Sequence, residues 1–178
     1  QKILEKYPDE YYMPNQFSNP ANWQSHFETT APEIVRDTKG EADYIVAGMG
    51  TTGTLMGCSR YFRQHHPRSK VVGVEPSLNH RIQGLKNMQE AIVPAIFDPS
   101  LLDRRIICPD EDAFNVTRDL ALREGLFCGI SSGAAMWGAI HVARDLPRGA
   151  TIVAILPDRG DRYLSTEVFR SVCALCPP

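Results

Sequence analysis

The sequence predicts an α/β domain, a three-layer arrangement with a parallel sheet between two layers of helices. Two observations predict it. Apolar runs at residues 42–47, 70–74, 105–108 and 151–156 alternate with helical stretches of about 10 to 15 residues. Apart from polar residues near their starts (Asp43, Lys70, Arg105 and Thr151), the runs are continuously apolar rather than apolar at every second position, as strands covered on both faces require. In such sheets, sites lie at the carboxyl ends of the strands.

The elements follow in order. Residues 1–6 read as the tail of a helix and residues 11–13 as a short strand. Pro14, Asn15, Ser18, Asn19 and Pro20 make a loop. Residues 23–37 are helical in part, interrupted near Pro32. The strand at 42–47 runs into a glycine-rich turn at 48–53 and a helix over 54–65. The strand at 70–74 closes on Glu75-Pro76, and residues 77–104 are less regular, with Pro94 and Pro99. After the strand at 105–108, Pro109-Asp110-Glu111-Asp112 starts a helix, since a proline and acids suit the positive end of the dipole. Ala113, Val116, Thr117, Leu120 and Ala121 continue it at helical spacing. Ser131 and Ser132 open a helix to about residue 145, and residues 165–173 read as the last helix.

The 178 residues fit one domain, and 43% hydrophobic with 22% charged residues is an ordinary globular composition. Disordered, collagen-like and disulfide-scaffold classes are excluded. A net charge of −2, with both signs mixed along the chain, argues against a nucleic-acid surface or a polybasic membrane anchor. No apolar run approaches the roughly 20 residues of a membrane span. The five cysteines are odd in number and scattered, which suits reduced thiols in a cytoplasmic protein. Cys173 and Cys176 could form a redox or metal pair, but neither a second pair nor a histidine cluster accompanies them, so no metal site is expected. His65-His66 closes a helix and reads as solvated. Residue 1 is Gln and no signal segment follows, so the chain reads as a piece of something longer.

The strongest local signal is Gly48-Met49-Gly50-Thr51-Thr52-Gly53-Thr54, a strand-to-helix turn whose backbone N–H groups favour an anion. Gly48, Gly50 and Gly53 also satisfy G-x-G-x-x-G, with Glu75 placed where a ribose-binding acid of a dinucleotide site could sit. The hydroxyls of Thr51, Thr52 and Thr54 favour a compact monophosphate, which takes several short donors at once. A tight turn with nothing bound is the bland alternative. Gly129-Ile130-Ser131-Ser132-Gly133 joins a loop to a helix, and either serine can cap it. The same residues fit the G-x-S-x-G of serine hydrolases, but Leu126-Phe127-Cys128 is short for the preceding strand, and after Ser131 only His141 remains.

Five motifs in order carry a family resemblance: Asn15-Gln16-Phe17-Ser18-Asn19-Pro20-Ala21-Asn22, Thr29-Thr30-Ala31-Pro32-Glu33-Ile34, Gly50-Thr51-Thr52-Gly53-Thr54, Gly129-Ile130-Ser131-Ser132-Gly133 and Arg162-Tyr163-Leu164-Ser165-Thr166. Together they resemble the cysteine synthases, or O-acetylserine sulfhydrylases, of the fold type II pyridoxal-phosphate enzymes. Residues 50–57 and 158–163 are closer to the B isozyme than to the A isozyme. The resemblance spans residues 1–169 and the C-terminal half to two-thirds of a family member. It implies the tryptophan synthase β-like fold, with residues 1–14 a remnant of the N-terminal domain and 15–178 the cofactor-phosphate domain.

The resemblance further implies a cofactor, pyridoxal 5′-phosphate. Gly50, Thr51, Thr52, Gly53 and Thr54 match the cradle of its phosphate, and Ser131 matches the hydroxyl beside its pyridine nitrogen. A neutral hydroxyl there leaves the nitrogen largely unprotonated, which suits elimination and restrains transamination. Gln16 matches a side chain near the substrate carboxylate, Gly84 the loop facing the substrate entrance, and Lys86 a basic residue that tunes the donor, with a solvated lysine as the bland alternative. Asp158 follows a buried strand at its carboxyl end, where α/β sites lie, and reads either as a substrate-side acid or as a turn acid capping the next segment. The implied reaction is β-replacement, O-acetyl-L-serine with sulfide or thiosulfate giving L-cysteine and acetate, in a cytoplasmic homodimer. The family's Schiff-base lysine and its substrate-carboxylate loop lie upstream, and Lys2, Lys6, Lys39, Lys70 and Lys86 do not match that lysine's context. Catalysis by this chain alone is therefore not expected. Its missing strands should leave sheet edge uncovered and invite pairing. Rival readings are a cystathionine β-synthase-like or O-phosphoserine-using enzyme, a nucleotide-binding module and a non-catalytic partner-binding module.

Overall fold

A computed structural model describes residues 2–169. Four strands, β1 (Tyr44–Gly48), β2 (Lys70–Pro76), β3 (Arg104–Cys108) and β4 (Ile152–Ala154), form one sheet in the order β3-β2-β1-β4, and every pairing is parallel. Helices cover both faces, so the expected three layers are present. On one face lie α5 (Asp110–Arg123) and α6 (Ile130–Ala143). On the other lie α2 (Ala21–Ser25), α3 (Ala31–Asp37) and α4 (Gly53–His65). The short α1 (Lys2–Lys6) buries no residue.

Side-chain alternation divides the core in two. Val46, Val72 and Val74 join Ile106, Ala134 and Ala139 on the α5–α6 face. Ile45, Ala47 and Val71 join Leu55, Phe62 and Ile34 on the other. A Cβ on Gly138 would overlap Val74, so the glycine lets α6 lie against the sheet.

Local differences from the sequence reading have physical causes. Residues 11–13 form no strand, and Tyr11, Tyr12 and Met13 are exposed with no neighbouring strand to pair with among the described residues. Residues 21–37 do not break at Pro32. A π-helical turn, His26–Thr30, lies between α2 and α3, with the Ala31 N–H bonded to the His26 carbonyl. The widened turn comes just before Pro32, which has no N–H to donate. β2 runs on to Pro76 because Glu75 and Pro76 find partners in Ile107 and Cys108. β4 is shorter than expected, and among the described residues it pairs only with β1. The expected last helix is, in its described part, a 3₁₀ turn at Glu167–Phe169, with another at Gly160–Tyr163. Cys173 and Cys176 lie outside the described residues.

Candidate functional site

The carboxyl ends of β1 and β4 open into a cleft of about 340 Å³, lined by the glycine–threonine turn, Gln16, Phe17, Gly84, Lys86, Ser131 and Pro157. β1 ends at Gly48, the chain turns through Met49 to Thr52, and α4 begins at Gly53. Thr52 holds the turn in a left-handed conformation at φ 69°, although it is not glycine. For a β-branched residue that backbone is strained, and such strain gathers at functional sites. Thr52 is 3% exposed, and its buried hydroxyl has no partner among the described residues. An unpartnered buried hydroxyl is costly unless a ligand meets it.

Two neighbours press on the turn. A Cβ on Gly53 would overlap the Asn22 side chain, and a Cβ on Gly50 would lie 2.8 Å from the Gly84 carbonyl oxygen. Asn22 Nδ2 donates to the Gln16 carbonyl at 2.7 Å and to Thr51 Oγ1 at 3.1 Å. His26, one turn further along the same helical segment, places Nε2 at 3.3 Å from Thr54 Oγ1 and Nδ1 at 2.9 Å from Thr30 Oγ1. On the other side the loop carrying Gly84 and Lys86 is tied down. The Lys86 N–H donates to the Met49 carbonyl at 2.7 Å, the Met88 N–H to Glu75 at 2.6 Å, and Asn87 Nδ2 to the Pro76 carbonyl at 2.8 Å. Lys86 Nζ lies 5.8 Å from the centre of the Phe17 ring, at the cleft wall.

Ser131, 4% exposed, sits in the first turn of α6. Gly84, at φ 90°, faces it closely enough that a Cβ would stand 3.5 Å from Ser131 Oγ. Asp158 lies behind the serine rather than on the cleft wall. Its carboxylate accepts the N–H of Ser131 at 3.3 Å and of Ser132 at 3.0 Å, the Ser132 hydroxyl, and the Tyr163 phenol at 2.7 Å. The acid therefore caps α6 from across the fold. Burial and the Asp158 carboxylate push the Tyr163 phenol up. Burial, then Asp158, pushes the Cys128 thiol up, and burial alone lowers His26. Both α4 and α6 present amino ends to the cleft, where helix dipoles favour negative charge.

The structure thus brings Gly50, Thr51, Thr52, Gly53, Thr54, Gln16, Gly84, Lys86 and Ser131 to one cleft and sets Asp158 beside it. Sequence reasoning assigned nothing to Asn22, His26 or Tyr163. The four-residue spacing of Asn22 and His26 on a helical stretch was the available signal. Glu75 is 6% exposed and accepts the Met88 N–H, with Arg105 at 3.8 Å, so it holds the loop and does not face a dinucleotide ribose. His141, the possible hydrolase partner of Ser131, stacks on Trp137 far along α6. Among the described residues no group of three or more metal-ligating side chains converges, and no helix is long and apolar enough to cross a membrane.

The residues present fit pyridoxal phosphate. The unpartnered Thr52 hydroxyl and the glycines with no room for a Cβ form a cradle at one helix start, and a neutral serine stands at the other. The family described as pyridoxal-phosphate dependent enzyme matches residues 1–158. Cysteine synthase B of Salmonella typhimurium is 48% identical over 155 residues, 87% of this chain and 51% of the relative. Cysteine synthase of Aquifex aeolicus is 43% identical over 172 residues, 94% of this chain and 53% of the relative. The crystal structure of O-acetyl serine sulfhydrylase isoform 3 from Entamoeba histolytica superposes with a TM-score of 0.88 at 35% identity, covering 96% of this chain and 53% of that one. The chain spans about half the length of the curated relatives it matches.

Proposed function

This chain belongs to the pyridoxal-phosphate dependent enzymes, and from that premise we propose that the protein carrying it is a cysteine synthase of the B type. The reaction is β-replacement: sulfide takes the place of acetate on the β-carbon of O-acetyl-L-serine, giving L-cysteine. One observation carries the reading. A strained, hydroxyl-rich turn with an unpartnered buried Thr52 faces a neutral Ser131 across a single cleft.

When bound, pyridoxal phosphate supplies the electron sink that makes loss of the α-proton and of the β-acetate accessible. The residues of this chain bind and orient. The N–H groups at the start of α4 and the hydroxyls of Thr51, Thr52 and Thr54 hold the phosphate. Ser131 offers the ring nitrogen a neutral hydrogen bond, and Asp158 keeps the start of α6 in place. Gln16 reaches the substrate carboxylate, and the Gly84 backbone forms the opposing wall. Lys86 at the mouth attracts anionic donors and nucleophiles, O-phosphoserine and thiosulfate among them. The base that takes the α-proton is proposed to come from outside this chain.

In this reading residues 1–14, whose described part is mostly exposed and whose α1 buries no residue, belong to a neighbouring domain, and residues 15–178 are the cofactor-phosphate domain. The protein is proposed to be a cytoplasmic homodimer. The test is product analysis with O-acetylserine, O-phosphoserine and serine as donors and sulfide, thiosulfate and homocysteine as nucleophiles. L-Cysteine or S-sulfocysteine from O-acetylserine is expected. Cystathionine as the dominant product, or no cofactor-dependent turnover, would overturn the proposal.

A further inference from the structure

Asn22 and His26 stand four residues apart and touch two of the three threonine hydroxyls of the turn. For Asn22 the direction of the hydrogen bond is fixed. Its Nδ2 also meets the Gln16 carbonyl, which can only accept, so the amide donates to Thr51 Oγ1. Thr51 therefore keeps its own proton for another acceptor. The third hydroxyl, that of Thr52, has no partner among the described residues.

His26 has two possible arrangements. With the proton on Nδ1 it donates to Thr30, and Nε2 consumes the Thr54 proton, so Thr54 shows the cleft only lone pairs. With the proton on Nε2 it donates to Thr54 Oγ1, while Thr30 donates to Nδ1, and the Thr54 proton is free. Both use the same heavy-atom positions, with separations of 3.3 Å and 2.9 Å. Burial lowers the His26 pKa and so disfavours the charged ring, and these are the two arrangements open to the neutral form. The ring cannot drift away, because the π-helical turn packs on α4 at Gly57, where a Cβ would stand 2.6 Å from His26 Cβ.

We propose that His26 is a positioning residue that turns the Thr54 hydroxyl proton toward the cleft, donating from Nε2 to Thr54 and accepting at Nδ1 from Thr30, and that an anion in the cleft selects this tautomer. The inference rests on the reading of the turn as a phosphate site. Asn22 and His26 then do one job, each donating into a threonine oxygen so that Thr51, Thr52 and Thr54 all offer protons to one oxyanion. Thr30, which does not line the cleft, becomes part of the anion's support.

The test is side-chain ¹⁵N NMR of His26 in the protein carrying this chain, with histidine-selective labelling and inorganic phosphate as the probe. Saturating phosphate is expected to leave His26 with Nε2 protonated and Nδ1 unprotonated. His26→Gln, whose amide can donate from the Nε2 position, should bind phosphate within about threefold of wild type. His26→Asn should lose about tenfold, and adding Thr54→Val to it should cost nothing more. Saturable phosphate binding with His26 remaining protonated on Nδ1 would overturn the inference and leave the phosphate site standing, as would His26→Asn binding like wild type. Absence of saturable binding to the wild type would overturn the phosphate-site reading and this inference with it.

Discussion

Asp158→Ala removes one carboxylate that serves four donors from two parts of the chain. The N–H groups of Ser131 and Ser132 lose their cap, and the Tyr163 phenol, on a residue only 6% exposed, loses its acceptor. Loss of a helix cap costs about 1 kcal/mol. Leaving a largely buried phenol unpaired adds about 1–2 kcal/mol. The total of about 2–3 kcal/mol lowers the melting temperature by roughly 5–10 °C. Asp158→Asn, which keeps the shape and some of the hydrogen bonds, should cost about 1 kcal/mol. The assay is thermal melting of wild type and both variants, with cofactor absorbance followed in parallel. Because the damage falls on α6, the spectrum of bound pyridoxal phosphate should change, while affinity for inorganic phosphate, held at α4, should stay near wild type. An Asp158→Ala variant that melts within about 1 °C of wild type would refute the capping argument.

Other outcomes follow from the same geometry. Thr52→Gly relieves the left-handed strain, so the ligand-free protein should melt at least as high as wild type while phosphate binding weakens; titration calorimetry with a melt checks both. Gly50→Ala drives a methyl group toward the Gly84 carbonyl, 2.8 Å away, and should weaken cofactor binding by at least tenfold in a fluorescence titration. Lys86→Ala should shift the ratio of activities with O-acetylserine and O-phosphoserine, and equal effects on both donors would count against selectivity. The Tyr163 phenol is held protonated above its ordinary value of 10.0. The unfolded chain therefore ionises first, and the stability this group contributes is present below about pH 10 and lost as pH rises beyond it. Denaturant midpoints between about pH 9 and 11 should fall more steeply for wild type than for Tyr163→Phe.

The sheet was legible because Ile45, Val46, Val71, Val72 and Val74 are apolar without alternation, which only a strand covered on both faces requires. The turn at Gly48 to Thr54 was legible because glycines and threonines between a strand and a helix leave few other uses. What was hidden depends on contacts between distant residues. Asn22 meets Thr51 and His26 meets Thr54 across 29 and 28 positions, and the four-residue spacing of Asn22 and His26 says that they share a helix face but not what they meet. For Asp158, at the carboxyl end of a strand, the sequence left a substrate-side acid and a capping acid both open. Only the placement of α6 shows its carboxylate turned to Ser131, Ser132 and Tyr163. Residues 11–13 have the aromatic content of a strand, but a strand exists only where a partner lies beside it.

The turn from Gly50 to Thr54 is proposed to hold the phosphate of a pyridoxal cofactor. This is tested most directly by comparing dissociation constants for pyridoxal phosphate, pyridoxal and NAD in the wild type and in Thr52→Val. Pyridoxal phosphate is expected to bind far more tightly than pyridoxal. Thr52→Val should narrow that gap by about tenfold while leaving pyridoxal itself unaffected, and NAD should not compete. Equal affinities for pyridoxal and its phosphate, or displacement by NAD, would contradict it.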